Sequence, residues 1–398
     1  MDATPRARLP AAPDDEAKKL RFRDPQRART LTRRLEQLCD AAGRPVSVMH
    51  VCGSHEQAIA RFGLRSILPP RLNVIMGPGC PVCVTDLPEV DEAIVIAQQG
   101  AVVATYGDML RVPGTVQSLA EAQAEGADVR VVYSPADAVA LARQTDRQVV
   151  FFATGFETTA VASAAVILAA PPANFSVLSA HKYIPPAMEI VAEMPDTQVE
   201  GFLAAGNAAT ITGWRIFERF VERHGLPVVV GGFEPLDILA ALVKLVELVG
   251  AGEARVVNAY RRCCTAEGNV PAQRMLWKVF RTMGGQWRGI AHIPNSNIRL
   301  RDEYAWVDAR KRFDIDLTGL WQSAGPSLVQ RCICGNIMAG IARPADCDLF
   351  GKECTPETPV GACMVSSEGT CKIWHEYGGF PAVSFAPRPA DAQRVGNG

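Results

Sequence analysis

The chain has 398 residues, 48% hydrophobic and 21% charged, and its 41 basic and 42 acidic side chains leave a formal net charge of −1. That balance excludes a polyanion-binding surface as the main function, because gripping nucleic acid or an anionic membrane needs a large excess of Lys and Arg. No apolar run reaches the roughly 18 residues needed to cross a bilayer, and the longest candidate, Ala160 to Ala173, is broken by Ser163 and a Pro pair.

The first 20 residues hold Pro, Ala, Arg and Asp without an apolar signal core. They read as a disordered leader ending near residue 30, and the protein as cytoplasmic. In a reducing compartment its 12 cysteines are expected to be metal ligands or redox thiols rather than structural disulfides.

Eight short apolar runs follow, each leading through a Gly-rich or polar loop into a helical pattern. They begin near Pro45, Leu72, Ala101 and Val129, then near Gln148, Phe175, Val199 and Leu226. Apolar strands alternating with helices predict an α/β fold with parallel sheets covered on both faces. Two sets of four predict two similar α/β domains, over 31–147 and 148–285, with the second ending in helices. Thr85 or Asp86 can cap a helix reaching Gln99, Pro135 and the Pro185-Pro186 pair suit first helical turns, and Pro235 to Val249 is amphipathic. After about residue 285 the runs shorten (Trp287 to Ile293, Ile298 to Leu300). A tail with six cysteines in 40 residues closes a third region, 286–398. It has too little apolar periodicity to pack unaided.

Ligands of parallel sheets bind at the carboxyl ends of the strands. There the first run ends in Cys52-Gly53-Ser54-His55-Glu56, the second in Gly77-Pro78-Gly79-Cys80-Pro81-Val82-Cys83, and the third in Gly107-Asp108-Met109-Leu110-Arg111-Val112-Pro113-Gly114. All three loops are expected at one edge of the first domain. Cys80 and Cys83 form a C-x-x-C, able to close a disulfide or to chelate a soft metal. Half of a structural zinc site is an alternative, but no second pair at matched spacing follows. A thioredoxin-type motif would open its helix, whereas here the cap is expected after it. Cys52 reads as a thiolate metal ligand, with His55 able to accept or relay a proton; a mere cap at Ser54 and a surface His55 are the alternative. Ile59 stands where H-E-x-x-H needs its second His.

The second set of runs ends in Thr154-Gly155-Phe156-Glu157-Thr158-Thr159, His181-Lys182, Gly206-Asn207 and Gly232-Phe233-Glu234-Pro235, with Thr158 and Thr159 as candidate caps. No phosphate-binding glycine motif follows a strand. Four thiolates from an irregular loop are the usual way to hold a [4Fe–4S] cluster. The tail offers Cys332, Cys334, Cys347, Cys354, Cys363 and Cys371. Spacing alone leaves open which four are ligands, and a zinc site with two free thiols is the alternative. Cys39, Cys263 and Cys264 read as ordinary buried thiols.

Together CGSHE, GPGCPVC, GDMLRVPG, TGFETT and the cysteine-rich tail resemble the HypD family of hydrogenase maturation factors, from about residue 30 to about residue 380. The resemblance implies two α/β domains and a cluster-bearing third. It implies a scaffold on which the Fe(CN)2CO unit of [NiFe] hydrogenase is assembled with a small HypC-type chaperone. A HypE-type partner would donate cyanide, and a hydrogenase large-subunit precursor would receive the product. Carried over, Cys52 is an iron ligand, and Cys80 and Cys83 are the redox dithiol. Cys332, Cys347, Cys354 and Cys371 are the [4Fe–4S] ligands, Cys334 and Cys363 an extra pair beside the cluster, and Glu368 a family acidic residue; Asp108 joins the candidate site residues. A relay is then expected from the cluster through Cys334/Cys363 and Cys80/Cys83 to the iron at Cys52. The family loop G-H-V reads Gly206-Asn207-Ala208 here, and Asn neither shuttles protons nor offers an imidazole. A stand-alone iron–sulfur disulfide reductase is the alternative function.

Overall fold

A computed structural model describes residues 21–324 and 328–378; the leader expected over the first 20 residues lies outside them. The leader does not extend to residue 30, because a helix starts at Pro25 and runs to Ala42. The Asp24 carboxylate caps it by accepting from the backbone N–H groups of Gln26 (2.8 Å) and Arg27 (3.2 Å), and Gly43 ends it at φ +66°, where only Gly avoids a Cβ penalty.

All eight expected runs form strands: β1 Val46–His50, β2 Leu72–Met76, β3 Val102–Thr105, β4 Val129–Val131, β5 Val149–Gly155, β6 Phe175–His181, β7 Phe202–Ala205 and β8 Val228–Gly231. A short β9, Val256–Asn258, adds a ninth. Every pairing among them is parallel. The expected grouping into two successive sets of four is corrected. One sheet has the order β2-β1-β7-β8-β9 and the other β4-β3-β5-β6. The chain starts the first sheet, leaves to build the whole of the second, and returns. Continuously apolar strands look alike whichever neighbour they meet, so chain order did not reveal the partners. The four-plus-four duplication disappears with this grouping, and the Asp108 loop belongs to the second sheet, not to the edge that carries Cys52.

The short runs near residue 290 are one antiparallel hairpin, β10 Phe280–Trp287 and β11 Ala291–Leu300. Helix punctuation is mixed. Asp86 starts the helix Leu87–Gln98 with a capping box, its N–H donating to Glu89 Oε2 (3.0 Å), and helices begin at Pro135 and Pro235. Thr158 and Thr159 do not cap: the helix Glu157–Leu168 starts after Phe156, and Thr159 Oγ1 donates back to the Phe156 carbonyl (2.9 Å).

One buried core runs from the first sheet (Met49, Phe202) through the second (Val103, Phe152) into the cysteine-rich segment (Ile337, Met364). The outer face of the first sheet is covered by the helices Pro25–Ala42 and Pro235–Ala251. A buried polar strut ties the second sheet to the hairpin. Lys182, wholly buried after β6, donates to Glu89 Oε2 (2.9 Å), Asn297 Oδ1 (3.0 Å) and the Gln286 carbonyl (3.1 Å), while Arg299 donates to Glu89 Oε1 (2.5 Å). All three ammonium donors are satisfied. Burial pushes the Glu89 carboxyl up, but Lys182 and Arg299 outweigh it and hold the group at about 2. Its contribution to stability is therefore complete above the ordinary carboxylate pKa near 4.5 and is lost as pH falls through about 2.

Removing one partner of a buried pair strands the other, at a cost of about 3–5 kcal/mol. Lys182→Met is expected to lower the unfolding free energy from urea titration by that amount at pH 7, moving the midpoint down, with a smaller deficit at pH 2. An unchanged midpoint at pH 7 would show that the strut is not needed.

Candidate thiol and metal site

In a sheet ordered β2-β1-β7-β8-β9 the connections leave in opposite directions on either side of the β1/β7 boundary, and ligands bind at the carboxyl side of such a switch point. Cys52 sits there. It is the N-cap of the helix Gly53–Arg61, in extended backbone (φ −153°, ψ 125°). It packs among Ala205 and Ala208 of the β7 loop and Phe233 of the β8 loop. Asn207 stands exposed at the rim, its Oδ1 accepting from the Ala208 N–H (2.8 Å).

Two glycines let neighbouring loops close on Cys52. A Cβ on Gly79 would overlap the backbone of Val51 and Cys52, and Gly53 N–H donates to the Gly79 carbonyl (3.0 Å). A Cβ on Gly53 would overlap Glu368. Ser54 Oγ donates to Glu368 Oε1 (2.5 Å), and Ser366 Oγ donates to Asp108 Oδ2 (3.1 Å) while accepting from the Glu368 N–H (3.2 Å). The S-S-E-G turn thus gathers Cys52, Asp108 and Glu368 from three distant parts of the chain. Ser54 serves this turn and is not a helix cap.

Burial, then the nearby Glu368, pushes the Cys52 thiol up to about 11, against the pull of the His55 and Ser54 N–H groups and the Ser54 hydroxyl. The thiol is protonated at neutral pH, so metal binding there releases a proton. Burial also raises the Glu368 carboxyl, and the Asp108 charge adds to the rise.

His55 is not on the surface. It is fully buried, and its ring stacks on Phe233 with centroids 4.7 Å apart. Nε2 lies 3.0 Å from the Gly232 carbonyl, which only accepts, so Nε2 carries the hydrogen and Nδ1 the lone pair. Nδ1 has no partner among the described residues. Burial, then His50, pushes the imidazole down to about 3. Such a ring can accept a hydrogen bond or ligate a metal, but it does not carry a relayed proton near neutral pH. Glu56 is a strut instead: its carboxylate accepts from Arg65 Nη2 (2.6 and 2.9 Å) and lies 2.7 Å from His50 Nε2.

Cys80 and Cys83 form a disulfide with Cα atoms 5.3 Å apart. Cys80 is itself the N-cap of a short helix, Pro81–Val84, its Sγ accepting from the Cys83 N–H (3.2 Å). The motif therefore opens a helix, contrary to the expectation that the first cap follows it; Pro81 supplies the first-turn φ. This helix packs against β5 and against the helix Ala362–Val365, which carries Cys363.

Cys363 also faces a small cavity whose wall holds Cys332, Cys334, Cys347, Cys354 and Cys371; the rest of the lining is apolar. Gly361 completes the cradle, since a Cβ there would stand 2.5 Å from Cys332 Sγ. Cys332 is raised and Cys334 lowered first by a mutual hydrogen bond, and the same holds for Cys371 and Cys363. Among the described residues no three Cys, His, Asp or Glu side chains converge on a single ion. Thiols spread around a cavity suit the several irons of a cluster, whereas the four ligands of one zinc must meet at a point. Of the other cysteines, Cys39 and Cys264 are buried, but Cys263 is exposed, against expectation. A groove of about 660 Å³ runs along the free edge of β2 beside Ile341 and contains none of the thiols.

Sequence reasoning passed over His50, Ser366 and Arg288. They lie at a strand end, a turn and a hairpin tip, where residue type alone carries no chemical signal. Glu157 is also informative: it is buried behind the TGFETT turn with Oε1 accepting from the Ile184 N–H (3.1 Å) and Oε2 without a partner among the described residues, and burial raises it to about 7.

An α/β frame that gathers a lone thiol, a C-x-x-C pair and a cage of six thiols defines a thiol-rich redox or metal protein. The chain belongs to the HypD family of hydrogenase maturation factors: the family model, described as the hydrogenase formation hypA family, matches residues 26–378. The chain is 42% identical over 370 residues to hydrogenase maturation factor HypD of Azotobacter vinelandii, covering 90% of this chain and 96% of that one. It is 41% identical over 387 residues to HypD of Rhizobium leguminosarum bv. viciae (94% and 98%) and 41% over 354 residues to HypD of Cupriavidus necator (86% and 92%). Among the described residues no helix is long and apolar enough to cross a membrane.

Glu368→Gln removes the charge but not the burial that raises Cys52. The pH midpoint of Cys52 alkylation, read by mass spectrometry, is expected to fall from about 11 by less than one unit. A midpoint that stays or rises would show that Glu368 does not act on the thiol.

Proposed function

We propose that this chain is a scaffold and electron relay for assembling the Fe(CN)2CO unit of [NiFe] hydrogenase. The observation that carries this reading is the convergence of Cys52, the Cys80–Cys83 pair and the six-thiol cavity along one line of backbone contacts. The Gly79–Cys52 contact joins the first two, and the packing of Pro81–Val84 on Ala362–Val365 joins the last two. The Cys52 sulfur, once deprotonated, is a soft donor suited to an electron-rich iron bearing cyanide and carbonyl. The iron unit is the cargo, not a resident cofactor.

The six-thiol cavity fits an iron–sulfur cluster, held by Cys332, Cys347, Cys354 and Cys371 as the family resemblance assigns them. A cluster there supplies single electrons. Opening the Cys80–Cys83 disulfide consumes two electrons and two protons and yields two thiols on the loop whose Gly79 closes on Cys52. Cys334 and Cys363 stand on the cavity wall, and Cys363 rides on the helix that touches the dithiol helix, so exchange between the pairs needs little movement. The polar rim at Asp108, Glu368 and Asn207 is where a small HypC-type chaperone would complete the iron site, a HypE-type donor would deliver cyanide, and a large-subunit precursor would collect the product.

Infrared spectra of the protein purified anaerobically with its small partner are expected to show cyanide and carbonyl stretches. Cys52→Ala should abolish them while retaining cluster iron. Stretches that survive in Cys52→Ala would overturn the scaffold reading and favour a stand-alone disulfide reductase, which needs the dithiol but not Cys52. Cys334→Ala should keep cluster iron yet stop reduction of the Cys80–Cys83 disulfide, counted by alkylation; normal reduction would rule out the relay.

A further inference from the structure

The tip of the β10–β11 hairpin inserts a buried cation between the two sulfur groups. Arg288 is 4% exposed. Its backbone N–H donates to the carbonyl of Val84 (3.2 Å), the residue after Cys83, and its Nη2 donates to the Pro113 carbonyl (2.8 Å). Its Nη1 has no partner among the described residues. On the opposite side the hairpin presses on the cavity wall: a Cβ on Gly335, the residue after Cys334, would overlap the Gly289 carbonyl. The charge of Arg288 favours the thiolates of Cys332 and Cys334 and also acts on the Asp86 carboxylate. A buried guanidinium with an unpaired donor carries a cost to folding. It becomes a gain once a negatively charged sulfur group occupies the cavity beside it.

We propose that Arg288 is a positioning residue that sets the reduction potential of an iron–sulfur cluster in the six-thiol cavity through the fixed charge it holds at the hairpin tip, where Gly289 packs against the residue after Cys334. This rests on reading that cavity as a cluster site. Adding one electron makes the cage more negative by one charge. A fixed cation stabilises the reduced form more than the oxidised form, so Arg288 raises the potential. Its backbone N–H bond to the Val84 carbonyl ties the hairpin tip to the dithiol helix.

The test is an anaerobic redox titration of the full-length, cluster-loaded protein, followed by the electron paramagnetic resonance signal of the reduced form. Arg288→Gln keeps a hydrogen-bonding amide but removes the charge. Its midpoint is expected to fall by at least about 59 mV, a tenfold change in a one-electron equilibrium, with iron and sulfide content unchanged. Arg288→Lys restores the charge and should recover most of that shift. A purely structural arginine would lower the unfolding temperature and leave the midpoint in place, and that result overturns the proposal. If Arg288→Gln loses its iron, Arg288→Lys decides: a parent-like midpoint supports the charge, and a full tenfold drop contradicts it. Parent protein without iron and sulfide would overturn the cluster reading itself.

Discussion

The site depends on close backbone approach at two glycines. Cys52 ends a strand of one sheet, while Asp108 and the helix that receives the dithiol belong with the other. They meet only because Gly79 lies against the Val51–Cys52 backbone and Gly53 lies against Glu368. Any side chain at either position would part the loops by the width of a methyl group. With the loops closed, the S-S-E-G turn bridges the carboxyl ends of β1 and β3 through Ser54 and Ser366. That turn in turn sets down the helix carrying Cys363 on the dithiol helix.

Buried polar groups fall into two kinds in this protein. Lys182 and Glu56 are surrounded by partners and hold elements together. His55 Nδ1, Glu157 Oε2 and Arg288 Nη1 are buried and lack partners among the described residues. Satisfied networks are what a stable core requires, and unsatisfied ones persist where chemistry makes use of them. Burial raises the Cys52 thiol and lowers the His55 imidazole, so both rest uncharged at neutral pH.

The strands, the α/β class and the reactive loops were legible in the sequence, because apolar runs and turn residues report local structure directly. The partnering of those strands was not. Val102 to Thr105 looks like an immediate neighbour of Leu72 to Met76, yet it lies in the other sheet, since long-range pairing leaves no mark in a continuously buried strand. The thiols were visible by type, but their convergence was not, because it is produced by Gly53, Gly79 and Gly335, whose need for close approach appears only in three dimensions. His55 read as a proton relay beside Cys52 or as a surface residue, and Glu56 as its loop neighbour. Helical geometry sends them to different partners, Gly232 and Arg65.

The central claim is that one sulfur path ends at an iron held by Cys52. Anomalous diffraction at the iron absorption edge, from crystals of protein purified anaerobically with its small partner, tests it most directly. The expected map has a strong multi-iron peak inside the cage of Cys332, Cys347, Cys354 and Cys371 and a separate single-iron peak at Cys52 beside the Cys80–Cys83 pair. An iron peak in the cage with none at Cys52, or no iron signal in the cage at all, would contradict it.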